Sequence, residues 1–383
     1  MESGRIERTF TLAPDVMPSI VAHTPSGTIH IHGEERADVA VTITCDPADA
    51  IGRELEIILE ERGETIHAEV RGHAPTDWLR GNPGKVRIAM EIRTPVRSNI
   101  EAVGASTNIQ LERLEGAIRV RTASGDIHAD RLTDTVTIQS ASGDVRTHAL
   151  SGTVRIQSAS GDVGLERGEG ELTIQSASGD VELDHLTGML DVTTASGDCL
   201  VRTSALTTCR AKTASGDLSV ATPLAPDGEY DFGTVSGDLL LQVPEATRMT
   251  VAMKTVSGDL SCTLPATSEG GKRSRTLMVN GGGIPVRVKS VSGDCTVRAA
   301  TGDLPPFPAA SSIAHAVPAP PAPPASLVIP TQAAPGTNNV AQPQASGDDF
   351  SETLAVLQAV ERGELSIDEA MEKLARLEAS MLP

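Results

Sequence analysis

The tripeptide Ser-Gly-Asp recurs nine times in register, with its glycine at Gly125, Gly143, Gly161, Gly179, Gly197, Gly216, Gly237, Gly258 and Gly293. The intervals are 18, 18, 18, 18, 19, 21, 21 and 35 residues. A fixed period near 20 residues predicts a solenoid, in which each unit buries its apolar face only against its neighbours. Aromatic residues make up 2% of the 383-residue chain and apolar residues 39%. Without large rings the core must be thin, a channel filled by Val, Ile, Leu, Thr and Ala between stacked strands. The expected fold is all-β: a parallel β-solenoid of about 18–21 residues and two strands per coil.

Val136 to Leu150 serves as the type copy. Val136, Ile138 and Ser140 point one way and Thr137 and Gln139 the other; Val145 and Thr147 resume the inward face after the Gly-Asp turn. A second corner is marked by Leu150-Ser-Gly152 and Leu186-Thr-Gly188. One inward column then runs through Ile118, Val136, Val154, Leu172, Leu190, Cys209, Tyr230, Val251 and Val286. Three residues before each glycine stands a hydroxyl (Thr122, Ser140, Ser158, Ser176, Thr194, Thr213, Thr234, Thr255, Ser290), expected to bond to its own kind along the axis. The glycine permits positive φ at a sharp corner.

Parallel stacking turns single residues into columns. Asp126, Asp144, Asp162, Asp180, Asp198, Asp217, Asp238, Asp259 and Asp294 become a carboxylate ladder. At the strand spacing of about 4.8 Å, neighbouring charges repel by roughly 0.8 kcal/mol even in water. The reading that offsets this has each Asp accept bonds from its corner amides and the preceding Ser hydroxyl; the alternative is a row of weak Ca²⁺ sites. Otherwise no cofactor or metal site is expected. Six and four residues before the glycines, the outward positions hold Arg119, Arg121, Arg155, Arg210, Lys212, Lys254, Arg287 and Lys289, against only Asp191 and Asp231. Gln139, Gln157 and Gln175 stack in the middle of that sheet. Such a face would take an extended anionic polymer or glycan, unless its cations merely balance the aspartate corner.

The ends are irregular. Residues 1–116 read as a strand-rich cap, in which Ser26-Gly27-Thr28 is an imperfect copy of the motif and Ser106-Thr107-Asn108 a degenerate coil. The regular repeat covers 117–303, with a glycine-rich insertion between Cys262 and Val286 expected as a surface hairpin over the last coil. Residues 304–349 are a Pro/Ala-rich tether spanning roughly 40–130 Å. Residues 350–383 show helical spacing, with Gly363 as a stop and Ser366-Ile-Asp-Glu369 as a capping box, predicting an αα-hairpin over Leu354–Leu377. Two such short helices need a partner, either a second copy or another protein.

The net charge of −19 disfavours nucleic acid. No run of 18 apolar residues and no apolar leader segment is seen, so the expectation is no membrane span and a cytoplasmic location, with association with the cell envelope left open. The five cysteines (Cys45, Cys199, Cys209, Cys262, Cys295) lack metal-ligand spacing and read as small buried hydrophobes in a reducing compartment. His128, His148 and His185 occupy different columns; His30 and His32 share a strand face, a pair too small for a metal site. No HExxH, GxSxG or Walker motif occurs.

From Ile20–Gly33 through the strand-SGD-strand copies, Phe10 to about Ala299 resembles the bacterial β-strand-repeat family of "putative adhesins". The resemblance implies a right-handed solenoid, a binding or structural role, no catalytic residues, and a link to cell-envelope stress among relatives that carry a C-terminal hairpin. The expected function is a non-enzymatic adhesin-like scaffold, the alternative a β-helix enzyme acting on glycans.

Overall fold

The structure, a computed structural model, describes residues 4–300 apart from 14–15, 48–49, 52–54, 73–85, 203 and 272. The tether and the predicted helical hairpin lie outside the described residues. Within them the chain forms twenty-two strands joined in one mostly parallel sheet.

The regular windings follow directly from the period. Ile127–Ser142, Val145–Ser160, Val163–Ser178 and Val181–Ser196 are each 16 residues long, and the Gly-Asp pair between them completes the 18-residue repeat. Successive windings pair in parallel at this offset, as in Val136↔Val154 and Leu172↔Leu190. The expected two short strands are thus one strand, bent in the middle at the Leu-x-Gly corner. Arg131, Ala149, Arg167 and His185 make the bend with φ of 54–64°, and Asp134 and Gly152 make a second left-handed turn three residues later. The following leucines, Leu150 and Leu186 among them, fold inward and are buried.

Alternation puts every second side chain inside. One winding buries Val145, Leu150, Val154 and Ile156, each worth about 1.5–3 kcal/mol once covered. Those faces are covered only by the windings above and below, so the unit of stability is the stack. At the Ser-Gly-Asp corner the approach is closest. Gly143 has φ 119°, and a Cβ there would sit 2.4 Å from the Gly125 carbonyl oxygen. Both facts demand glycine.

The longer intervals are absorbed away from this corner. The 19-residue interval arises from a bulge after Leu206, where Thr207 has no partner in the ladder and donates to Gly188 O at 3.0 Å. The next interval lengthens at the second corner, over residues 222–228. There the Ala225 N–H donates to Tyr230 Oη, which donates in turn to Leu206 O, both at 2.7 Å. Ser215↔Ser236 keeps the Ser-Gly-Asp corners aligned.

The C-terminal windings do not stack in sequence order. Tyr230 pairs with Val286, and Val286 with Val251; likewise Leu239 pairs with Cys295, and Cys295 with Leu260. The final winding, Ile284–Ser292 with Cys295–Ala299, is therefore inserted between the Gly237 and Gly258 windings, which the sequence order places side by side. The glycine-rich insertion does form a hairpin, Ala266–Gly270 with Ser274–Val279, but it covers Met249–Lys254 by antiparallel pairing. The other end is built likewise. Ser19–Glu34 pairs with Asn99–Ser124 on one side and with Thr65–Gly72 and Arg87–Pro95 on the other. Gly4–Thr11, Asp38–Asp46 and Leu55–Arg62 close the outer edge antiparallel. Ser26↔Ser106 and Thr28↔Asn108 place both imperfect copies in the stack, and the strand Asn99–Ser124 runs through residue 116 without a break.

Two polar details differ from expectation. The hydroxyl column is buried, but six of its nine members turn to carbonyls of their own corner, as Ser158 to Ser160 O and Thr194 to Ser196 O. The side-chain oxygens of Thr213, Thr234 and Thr255 are buried with no partner among the described residues. Cys45, Cys199, Cys209 and Cys295 are buried and Cys262 half-buried; burial pushes the Cys199 and Cys295 thiols up to about 12.

Candidate functional site

The corner aspartates form the expected continuous ladder, though with different hydrogen-bond donors. Each Asp side chain accepts the backbone N–H of the Asp in the next winding: Asp144 N–H to Asp126 Oδ1 at 3.0 Å, Asp162 to Asp144 at 3.1 Å, Asp180 to Asp162 at 3.0 Å. The series continues through Asp198, Asp217 and Asp238, then Asp294 and last Asp259. One strand spacing brings each carboxylate to the amide of the neighbouring corner and not to its own. At one end the neutral Asn108 accepts from Asp126. At the other, Arg275 lies 3.1 Å from Asp259. Arg146 pairs with Asp144 at 2.6 Å. Charge-assisted bonds to backbone amides thus offset the repulsion of like charges. One oxygen of each carboxylate is already engaged, and the ladder gathers no three ligand atoms around one point among the described residues.

The outward columns form as the spacing implied, with the reordering at the end. One runs Arg119, Thr137, Arg155, Thr173, Asp191, Arg210, Asp231, Arg287, Ala252. The other runs Arg121, Gln139, Gln157, Gln175, Thr193, Lys212, Gly233, Lys289, Lys254. In its first half Arg121 Nε donates to Gln139 Oε1 at 3.0 Å, Gln139 Nε2 to Gln157 Oε1 at 2.7 Å, and Gln157 Nε2 to Gln175 Oε1 at 2.9 Å. Identical amides one strand apart bond head to tail, and Gln157 is buried in the row. The glutamines therefore stiffen the sheet.

The free charge lies at the other end. Arg210 is 3.6 Å from Glu229, and Lys212 and Arg210 flank Asp191. Burial raises the Asp191 carboxyl above its ordinary range against the pull of these two cations. Lys254, Arg287 and Lys289 are exposed and form no ion pair among the described residues. Lys254 pairs directly with Lys289, and Arg287 lies two residues before Lys289 on the same face. Like charges set side by side on neighbouring strands destabilise the sheet; an anion laid across them relieves that cost. The sequence showed the cations. It did not show that Arg275, from the insertion, and Arg146 are the residues that meet the carboxylate ladder.

The profile of the Toastrack DUF4097 family matches residues 18–227 and 153–298. No curated protein matches the sequence. Among solved structures, a "putative adhesin" from Bacteroides fragilis is 14% identical with a TM-score of 0.37, over 77% of this chain and 97% of that one. A "putative lipid binding protein" from Parabacteroides distasonis is 11% identical with a TM-score of 0.32, over 78% and 97%. A "putative cell adhesion protein" from Clostridium sporogenes is 12% identical with a TM-score of 0.20, over 77% and 100%. The family match spans the stacked sheet from the Gly27 winding to the last strand, and the chain belongs to the Toastrack DUF4097 family.

Proposed function

We propose that the chain is a non-enzymatic binding module whose flat outward sheet takes an extended anionic polymer, such as an acidic glycan. The observation that carries this is the trio Lys254, Arg287 and Lys289, adjacent, exposed and in no ion pair among the described residues, although Asp231 is the strand neighbour of Arg287. Rigidity supports it: the Gln139–Gln157–Gln175 row stiffens the first half of the same sheet, and a stiff sheet loses little ordering entropy on binding. Lys254, Arg287 and Lys289 form no ion pair with the corner aspartates among the described residues, where the ladder meets amides, Arg146 and Arg275.

The same proposal includes residues 350–383 as a helical hairpin for self-association or partner docking, reached through the tether, and a role at the cell envelope under stress. Light scattering with and without residues 350–383 separates association through the hairpin from association through the sheet. Retention on immobilised heparin or polyphosphate tests the binding face. Reversing Lys254, Arg287 and Lys289 to Glu should abolish retention at low salt, and reversing Arg119, Arg121 and Arg155 should weaken it less. Equal retention of both variants and the parent overturns the reading. The rival, a glycan-processing enzyme, requires release of reducing ends from the same polymer.

A further inference from the structure

On the opposite limb of the windings, the two histidines of Ser19–Glu34 acquire a third neighbour. Ile29 and Ile31 point inward and are fully buried, so His30 and His32 project together from the outer face. The parallel register sets Glu112 of Asn99–Ser124 beside His32 and Gln110 beside His30. His32 Nδ1 lies 3.1 Å from Glu112 Oε2, and His30 Nε2 lies 3.6 Å from Glu112 Oε1. One ligand atom from each residue can be chosen with no pair farther apart than 4.8 Å. We propose that His30, His32 and Glu112 bind one divalent transition-metal ion of the zinc class.

The donor chemistry selects the metal. Two imidazole nitrogens and one carboxylate suit zinc and its neighbours, whereas Ca²⁺ and Mg²⁺ take oxygen ligands. In a tetrahedral zinc site, bonds of 2.0–2.1 Å set ligand atoms about 3.3 Å apart. The two His–Glu separations bracket this value, and a small ring rotation draws the imidazoles together. His30 Nε2 is buried and has no hydrogen-bond partner, an arrangement a metal bond would satisfy. The surroundings leave the trio uncommitted. Glu91 and Arg93, the partners of His30 and His32 on Arg87–Pro95, are bonded to each other at 2.8 Å. Asp130, next to Glu112 in its column, is held by His148 at 2.8 Å and by Arg131. Glu112 itself makes ion pairs only with the two imidazoles among the described residues. Three protein ligands leave a coordination position open to solvent or an external donor.

The ion would staple together two strands whose ligands are 80 residues apart, tying the Gly27 winding to the degenerate coil at Ser106-Thr107-Asn108. Calorimetry on the full-length chain, stripped with a chelator and titrated with ZnCl₂, should show one equivalent of saturable binding. Co²⁺ should give the visible absorption of a low-symmetry nitrogen–oxygen site, and Zn²⁺ should raise the melting temperature. His30→Ala/His32→Ala should lose all three signals while keeping the metal-free CD spectrum. If that variant fails to fold, Glu112→Gln, which keeps shape and a hydrogen-bonding group, should lose the Co²⁺ spectrum and the thermal shift. Absence of saturable binding by the parent, or equal binding by the variants, overturns the site.

Discussion

The middle of the stack and its C-terminal end are written in the same repeat but assembled under different rules. From Ile127 to Ser196 each winding lies on the one before it, at a constant offset of 18 residues. From Glu229 onward the corners, the ladder and the inward column persist, yet the last winding enters between two earlier ones. The repeat motif therefore specifies the shape of a winding and its register against any neighbour; it does not specify which neighbour. In the middle, an 18-residue connection reaches only the adjacent level. At the end, the excursion through residues 263–283 frees the chain to return one level below the edge, while its hairpin covers the edge.

Cross-linking gives the largest, all-or-none readout of that difference. Thr296 lies beside both Leu240 and Ser261. Cysteine pairs at 240/296 and 261/296 should therefore oxidise fully under mild conditions. The 240/261 pair, about 9.6 Å apart at two strand spacings, should not, because a disulfide needs Cα atoms within about 6.8 Å. Disulfide formation at 240/261 would restore sequence order and break the comparison.

Glycine substitutions rank next. Gly161→Ala places a Cβ 2.4 Å from the Gly143 carbonyl oxygen at φ 111°, and should cost more than about 3 kcal/mol in urea unfolding. Gly281→Ala, at φ 85° with only the Arg248 side chain 3.8 Å away, should cost about 1–2 kcal/mol.

The ladder distinguishes interior from end more finely. Asp162→Ala leaves the Asp180 amide without its acceptor and should cost about 1–2 kcal/mol. Asp259 ends the ladder, and its carboxylate meets only the Arg275 side chain among the described residues, so Asp259→Ala should cost about 0–1 kcal/mol. Equal losses would mean that the bonds between windings carry no weight. The smallest effect is a gain. Asp134 holds φ 91° where the next windings have Gly152 and Gly170, and Asp134→Gly should stabilise by about 1 kcal/mol.

A pH effect follows from the buried thiols. Cys199 rises from an ordinary value of 9.0 to about 12 on burial. Its contribution is fully present below pH 9 and is lost as pH climbs toward 12, because only the unfolded chain ionises there. Cys199→Val should flatten this alkaline decline in a melting series.

Much of this fold can be read from the chain because two periods coincide. Alternation of two assigns Val136, Ile138 and Val145 to the interior, and the 18-residue period lays Arg121, Gln139, Gln157 and Gln175 in one line. What the sequence conceals depends on partners distant along it. The acceptor role of Asp144 is set by an amide 18 residues ahead, and the level of Cys295 by a return after the hairpin. Glu112 meets His32 across 80 residues, since Asn99–Ser124 lies beside the strand that opened the stack. The left-handed bend at Arg131, Ala149, Arg167 and His185 carries no common residue type, and the inward residue after it is Leu132, Leu150 and Leu186 but Gly168 in the third winding.

The first and last motif-bearing windings in the sequence, Ser19–Glu34 and Ile284–Ala299, each lie one level inside an end of the stack. A duplicated repeat added beyond Ala299 would find its edge already occupied on both sides. Such a tower can grow taller only by gaining storeys in its interior, between levels that already agree in register.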